Sequence, residues 1–291
     1  MRKWNSSLLL MLIFFVSTAL AIETKIVYPA DEDEGDTRVN DLKEILQLAL
    51  KKTESEYGPF ELRSSTLKMN RLRYLSELER GRTINIAWSS TSVEMESRFL
   101  PLRIPLRKGI LGYRIALIAQ ENQALIDQVK SIEDLKKLTI GQGLGWLDVQ
   151  LYEANGIKVE QAKYGNLFRM TTYKRFDLFP RGINEIFSEY ALHSKENPTL
   201  AIEKNLLIYY PWPYYFFFNK NDVALRKRIE LGLRKMIKDG SFDAIFIKYN
   251  GDAIKQANLP GRRLIQIKNN LLPKETPLDD ATLWFHPNKN K

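Results

Sequence analysis

The chain has 291 residues, no cysteine and a formal net charge of +9. The missing thiols exclude disulfides, a cysteine-acylated lipoprotein and any cysteine-based nucleophile or metal site. The length suffices for one large or two modest domains whose core needs no cross-links. The basic residues are spread along the chain rather than clustered, which argues against a nucleic-acid binder.

Arg2 and Lys3 precede an unbroken apolar run from Leu8 to Val16, and Ala19-Leu20-Ala21 places small residues where a signal peptidase cuts. These are the three parts of a secretory signal peptide. The run falls short of the roughly 20 apolar residues of a spanning helix. Residues 1–21 are therefore expected to be removed after Ala21, leaving a soluble periplasmic protein.

Lys25 to Pro29 reads as a strand and Asp31 to Asp36 as an acidic loop. Leu42, Ile45, Leu46 and Ala49 repeat at helical spacing, which predicts an amphipathic helix from Asp41 to about Thr53. Phe60 to Ser64 reads as extended and Leu67 to Arg80 as helix. Ile84 to Trp88 reads as a strand running into the polar turn Ser89 to Ser92. Phe99 to Leu106 and Tyr113 to Ala119 lean towards β. Ser131-Ile132-Glu133-Asp134 has the form of a capped helix start. Thr139 to Gly145 is a strand entering a glycine-rich turn, followed by a helix from Trp146 to Ala154 that Asn155-Gly156 closes. Leu167 to about Lys174 is a predicted helix, Phe176 to Phe179 a strand, and Ile183 to Leu192 a helix. Leu206 to Tyr210 and Tyr214 to Phe218 lean towards β. Leu225, Ile229, Leu233 and Met236 form one helix face that Gly240 ends. From Pro260 onward the chain reads as irregular. Alternating strands and helices define an α/β layered protein.

These pieces, in this order, resemble the bacterial extracellular solute-binding proteins of family 3, the periplasmic amino-acid-type binding proteins with the two-lobed type II fold. Three stretches carry the resemblance. The first runs from Gly112-Tyr113-Arg114-Ile115 through Ser131-Ile132-Glu133-Asp134-Leu135 to Thr139-Ile140-Gly141-Gln142-Gly143. The second is Arg175-Phe176-Asp177-Leu178-Phe179, similar to the family's R-x-D-A strand. The third is Tyr214 to Lys220, the helix after it, and Gly240-Ser241-Phe242-Asp243-Ala244-Ile245. The resemblance implies two lobes joined by two hinge strands: lobe one from Ile22 to Gly112 plus Asn219 to Lys291, and lobe two from Tyr113 to Phe218. The ligand would lie in the cleft between them, closed by a hinge motion.

The resemblance also implies where the ligand is held. Trp88, Ser89, Ser90 and Thr91 fall on the lobe-one edge that presents hydroxyl and backbone contacts, although a capped turn would use the same residues. The family's T-x-x-R arginine, which takes a ligand carboxylate, is displaced here, because Thr91 is followed three residues on by Glu94. Arg98 and Arg103 are the two candidates, since a planar guanidinium suits a carboxylate or phosphate. The turn at Gly143, Gly145 and Trp146 lets the backbone approach a ligand and points N–H groups at an anion; a tight turn without a ligand is the plainer alternative. The family's aspartate for an amino group falls on Gly182, beside Arg181. The solute is therefore expected to be anionic or peptide-like, with Arg181 as its partner and Asn184 and Glu185 as polar contacts. Tyr214, or Trp212 close by, is expected at the cleft.

The sequence offers little for catalysis. Its two histidines, His193 and His286, are far apart, and no Gly-x-Ser-x-Gly, His-Glu-x-x-His or phosphate-loop pattern occurs. No metal and no cofactor are expected. The implied role is a monomeric solute-binding protein that delivers its ligand to a membrane partner, an ABC-type permease or a sensor kinase. The alternative is a sensory or envelope-interaction module of the same fold that has lost transport.

Overall fold

The computed structural model describes residues 23–30 and 39–287. The expected signal peptide, the acidic loop Asp31 to Asp36 and residues 288–291 lie outside the described residues. The strands, in chain order, are β1 (Thr24–Ala30), β2 (Phe60–Lys68), β3 (Ala87–Ser90), β4 (Leu100–Leu102), β5 (Tyr113–Ala119), β6 (Thr139–Gly143), β7 (Lys158–Ala162), β8 (Phe179–Gly182), β9 (Leu200–Ile202), β10 (Leu206–Tyr209), β11 (Tyr214–Phe218) and β12 (Arg263–Gln266). No described helix is long and apolar enough to cross a membrane.

Strand pairing separates the molecule into two neighbourhoods. β1 runs parallel to β2, and β11 lies antiparallel between β3 and β4. Elsewhere β5 is antiparallel to β8, β9 and β10, and β12 joins parallel to β10. The parallel pair β6–β7 sits beside them through the bridge Ile140–Leu178. The core divides the same way. Ile26, Leu46, Phe216 and Leu233 belong to one buried cluster; Ile118, Tyr152 and Tyr210 belong to another, and Leu117, Phe168 and Phe179 to a third beside it.

The amphipathic helix forms as its spacing predicts. Helix Asn40–Lys51 buries Leu42, Ile45, Leu46 and Ala49, the leucine and isoleucine side chains each contributing up to about 1.5–3 kcal/mol of burial. It packs on helix Val223–Asp239 at Gly232, where a Cβ would lie 2.2 Å from the Ala49 carbonyl oxygen. Only a glycine permits that approach. Gly240 then ends the second helix with φ +81°, a left-handed turn that glycine adopts without strain.

The structure moves several expected boundaries. Residues 67 and 68 belong to β2, with Lys68 paired to Ala30. The following helix begins only at Arg71, where the Asn70 side chain accepts the Arg73 N–H at 3.0 Å. The strand expected at Phe176 to Phe179 lies at Phe179–Gly182 instead, and Phe176 packs under Gly141. The tail expected to be irregular contains β12, and a second long helix, Ser241–Ala257, precedes it. Because β12 bonds to β10, Arg263–Gln266 joins the sheet of β5 and β8 rather than the one expected for lobe one.

Candidate functional site

A cavity of about 510 Å³ opens between the two neighbourhoods. One wall is built on β3 and β11. β3 leads into Ser89 and Ser90, and antiparallel pairing sets Tyr214 opposite Ser90. Helix Arg71–Arg80 adds Arg71 in its first turn. The Arg71 guanidinium donates to Ser89 Oγ at 2.9 Å and reaches the Met95 sulfur at 3.8 Å. It has no carboxylate partner among the described residues. Trp88 is mostly buried, against Tyr28 at 5.6 Å between ring centres.

The opposite wall comes from β5, β8 and the turn after β6. Gly145 has φ +75° and open space where a Cβ would stand. The Trp146 indole folds back over Gly143, so close that a Cβ there would lie 2.2 Å from the ring. The register of β5 and β8 pairs Arg114 with Gly182 and Ile115 with Arg181. It thereby gathers two buried guanidinium groups beneath Glu185. Arg114 donates to Asp148 at 2.8 Å, and Asp148 also accepts from the Tyr210 hydroxyl. Arg181 makes a two-pronged pair with Glu189, at 2.6 and 2.7 Å. Its guanidinium lies over Trp146 at 4.7 Å. Arg107, between the walls, is held in the same way by Asp41 at 2.6 and 2.8 Å and stacks over Tyr214 at 5.4 Å.

Glu185 is the exception among the carboxylates. Its Oε2 accepts the Gly182 N–H at 3.1 Å and lies 3.2 Å from Arg181 and 3.7 Å from Arg114. Its Oε1 has no hydrogen-bond partner among the described residues. Burial pushes the Glu185 carboxyl up, but Arg181, Arg114 and the Gly182 N–H outweigh that and hold it below the usual carboxylate range. It is charged at neutral pH. Burial raises the Tyr214 hydroxyl despite Arg107 and Arg71 beside it, so that group stays neutral.

Of the residues expected from the sequence, Trp88, Ser89, Ser90, Gly145, Trp146, Arg181, Glu185 and Tyr214 line this cavity. Five do not. Thr91 turns away and donates to Glu96 at 2.8 Å. Arg98 pairs with Glu79 at 2.8 Å on the surface, and Arg103 pairs with Glu96. Gly143 lies beneath the Trp146 ring, and the Asn184 Oδ1 is buried without a hydrogen-bond partner among the described residues. The expectation that Arg181 needs a ligand anion loses its physical basis, because Glu189 already neutralises it. The sequence reading missed Arg71, Arg107, Arg114 and Asp148, all of which line the cavity. One signal was present: Arg114 is the only charge in the apolar run Tyr113–Ala119, every residue of which is buried. Trp212, the alternative to Tyr214, lines the cavity too.

No protein-family model matches the chain, and no curated protein is significantly similar to it. Its fold is nevertheless that of two-lobed periplasmic solute-binding proteins. A probable amino-acid ABC transporter extracellular-binding protein, ytmK of Bacillus subtilis, superposes with a TM-score of 0.57 at 20% identity, over 80% of this chain and 99% of its own. An ancestral arginine-binding protein bound to arginine gives a TM-score of 0.52 at 20% identity, over 78% of this chain and 97% of its own. A structure from work on glutathione import through GshT in Streptococcus mutans gives 0.53 at 14% identity, over 79% and 96%.

Proposed function

We propose that the chain is an exported periplasmic solute-binding protein that takes an amino-acid-like or short peptide-like solute between two lobes and delivers it to an ABC-type permease. Lobe one is then built on β1 to β4 and β11, and lobe two on β5 to β10 with β12. The protein acts as a monomer without catalysis. The observation that carries the reading is the charge pattern of the cavity. Three of its arginines, Arg107, Arg114 and Arg181, have their own carboxylates in Asp41, Asp148 and Glu189. That leaves Arg71, beside the Ser89 hydroxyl, and the open oxygen of Glu185. A solute with one anionic and one cationic group complements both, and one with only an anion leaves Glu185 unmatched.

The carboxylate whose loss at Gly182 argued against an amino group is thus supplied from Glu185. Amino-acid and glutathione transport, named for the fold's relatives, supports the same solute class. A thermal-shift screen of the purified protein with amino acids, di- and tripeptides, organic acids and sugars tests the reading. A ligand at 100 times its Kd adds about 2.7 kcal/mol of stability and raises the melting temperature. Stabilisation by zwitterions is expected. Stabilisation by dicarboxylates or sugars alone would overturn it.

A further inference from the structure

We propose that the segment from Arg263 to Phe285 is an interlobe strap that limits how far the cavity opens. The proposal uses the lobe division given above. The segment starts in lobe two. β12 bonds along β10 from Leu206–Arg263 to Tyr209–Gln266, and Arg263 Nε donates to the Val129 carbonyl at 2.6 Å. Asn155 then grips Lys268 twice, donating to its carbonyl at 2.8 Å and accepting its N–H at 3.2 Å.

The chain next crosses to lobe one. The Leu271 carbonyl accepts the Val93 N–H at 3.2 Å. Val93 opens helix Val93–Arg98, shortly after the cavity residues Ser89 and Ser90. Further on, Leu283 and Trp284 are buried in the core beneath β11. The Trp284 ring fits against Gly109 so tightly that a Cβ there would lie 2.4 Å away. One residue later the chain touches lobe two again, at the first residue of β5. Phe285 N–H donates to the Lys108 carbonyl at 2.7 Å on the lobe-one side, its own carbonyl accepts the Tyr113 hydroxyl of β5 at 2.9 Å, and its ring packs with Tyr113 and with Phe246 of helix Ser241–Ala257.

A hinge of two strands opens by changing a few backbone dihedrals. Here opening also has to break the strap's hold on one lobe or the other: the Val93–Leu271 bond and the burial of Leu283 and Trp284 on lobe one, or the Asn155–Lys268 and Tyr113–Phe285 bonds on lobe two. The strap therefore weights the unliganded protein towards nearly closed arrangements, a bias set within the chain before any solute arrives.

The test needs no solute, so it stands or falls separately from the binding reading. The absence of cysteine allows paired labelling at Arg73→Cys and Leu192→Cys, both exposed positions on opposite lobes. Interlobe distances are then read by single-molecule energy transfer. Val93→Pro removes the N–H that the strap's Leu271 carbonyl accepts, at the first helical position, where proline is tolerated. Ser92 is already extended, at φ −154° and ψ 167°, as a residue before proline needs to be. Tyr113→Phe removes the bond to Phe285 and keeps the ring. Each variant should retain the parent's circular dichroism and shift the distance distribution to longer, broader values, the pair together most. Should Val93→Pro fail to fold, Tyr113→Phe alone carries the test. Folded variants with the parent's distribution would overturn the strap.

Discussion

The Glu185 carboxylate folds back onto the backbone of Gly182 and occupies the space that a side chain there would take. Oε2 accepts the Gly182 N–H at 3.1 Å, and a Cβ at 182 would meet that oxygen at 3.1 Å and Asn184 Oδ1 at 2.9 Å. Glycine and carboxylate are therefore one unit: the first makes room, and the second delivers charge to the cavity. Arg114 and Arg181 hold one oxygen from below, which turns the other outwards.

Glu185→Gln keeps the shape of that unit and removes its charge. Affinity for a solute with a primary ammonium group should fall by about 1.5–3 kcal/mol, the range for a hydrogen bond to a charged group. Isothermal titration with the solute found by screening reads this. Binding equal to the parent's would remove Glu185 from the site.

The same carboxylate sets a pH dependence. Its pKa in the folded protein is held below the ordinary glutamate value of roughly 4.3. The sign follows: the charged form, and any stability it adds, is fully present above that ordinary value and is lost only as pH falls through the depressed one. Binding of an ammonium-bearing solute should stay level from neutral pH down to about 4.3 and decline below it. A titration series from pH 7 to pH 3 is the check, and a decline beginning near pH 6 would contradict it.

Arg71 and Arg98 should separate cleanly. Arg71 faces the cavity beside Ser89, whereas Arg98 pairs with Glu79 on the surface. Arg71→Ala should weaken solute binding tenfold or more, by about 1.5–3 kcal/mol, on the scale of a charge-assisted hydrogen bond. Arg98→Ala should leave binding unchanged and cost less than about 1 kcal/mol of stability, as exposed ion pairs do. The reverse result in titration would exchange their roles.

Arg181 carries a different expectation, one of folding. Its side chain is 8% exposed and its partner Glu189 13%, so Arg181→Ala strands a buried carboxylate. Losing one partner of such a pair costs about 3–5 kcal/mol. Urea denaturation should show the unfolding free energy fall by that amount and the midpoint fall with it, at an unchanged slope, with Glu189→Gln also destabilising. A variant as stable as the parent would mean that the pair is already well hydrated.

Tyr113–Ala119 and Tyr214–Phe218 were readable to the residue because runs of aromatic and branched side chains suit buried strands and little else. Arg71 and Arg107 were not readable as cavity residues. Nothing in their local sequence distinguishes them from surface arginines, and only tertiary packing brings helix Arg71–Arg80 to Ser89 or Asp41 to Arg107. β12 was hidden because Arg263–Gln266 has few apolar residues between Pro and Asn neighbours, and it forms by pairing with the open side of β10. Arg181 lines the cavity, but its pairing was not legible, since its partner Glu189 lies on the next helix, eight residues from it.

The last prediction concerns Gly112, the residue immediately before β5. Its φ is not left-handed, so backbone conformation does not demand glycine. Proximity does. A Cβ at 112 would stand 2.0 Å from the Tyr210 carbonyl oxygen and 3.3 Å from the Trp212 nitrogen. Both are backbone atoms, and neither can turn aside as a side-chain tip would. Tyr210 N–H donates to the Gly112 carbonyl at 3.2 Å, so relief of the clash would part the two chain segments where they touch, next to the Tyr113–Tyr209 pair of β5 and β10. Overpacking of this kind costs about 1–3 kcal/mol. Gly112→Ala should lower the unfolding free energy read by urea denaturation by that amount and, because Trp212 and Leu111 line the cavity, weaken solute binding as well. Gly145→Ala is the control: it meets no atom within 4 Å, and its cost is confined to φ +75°, about 1 kcal/mol. Equal stability for Gly112→Ala and the parent would show that Gly112 and Tyr210 are not held in this close contact in solution.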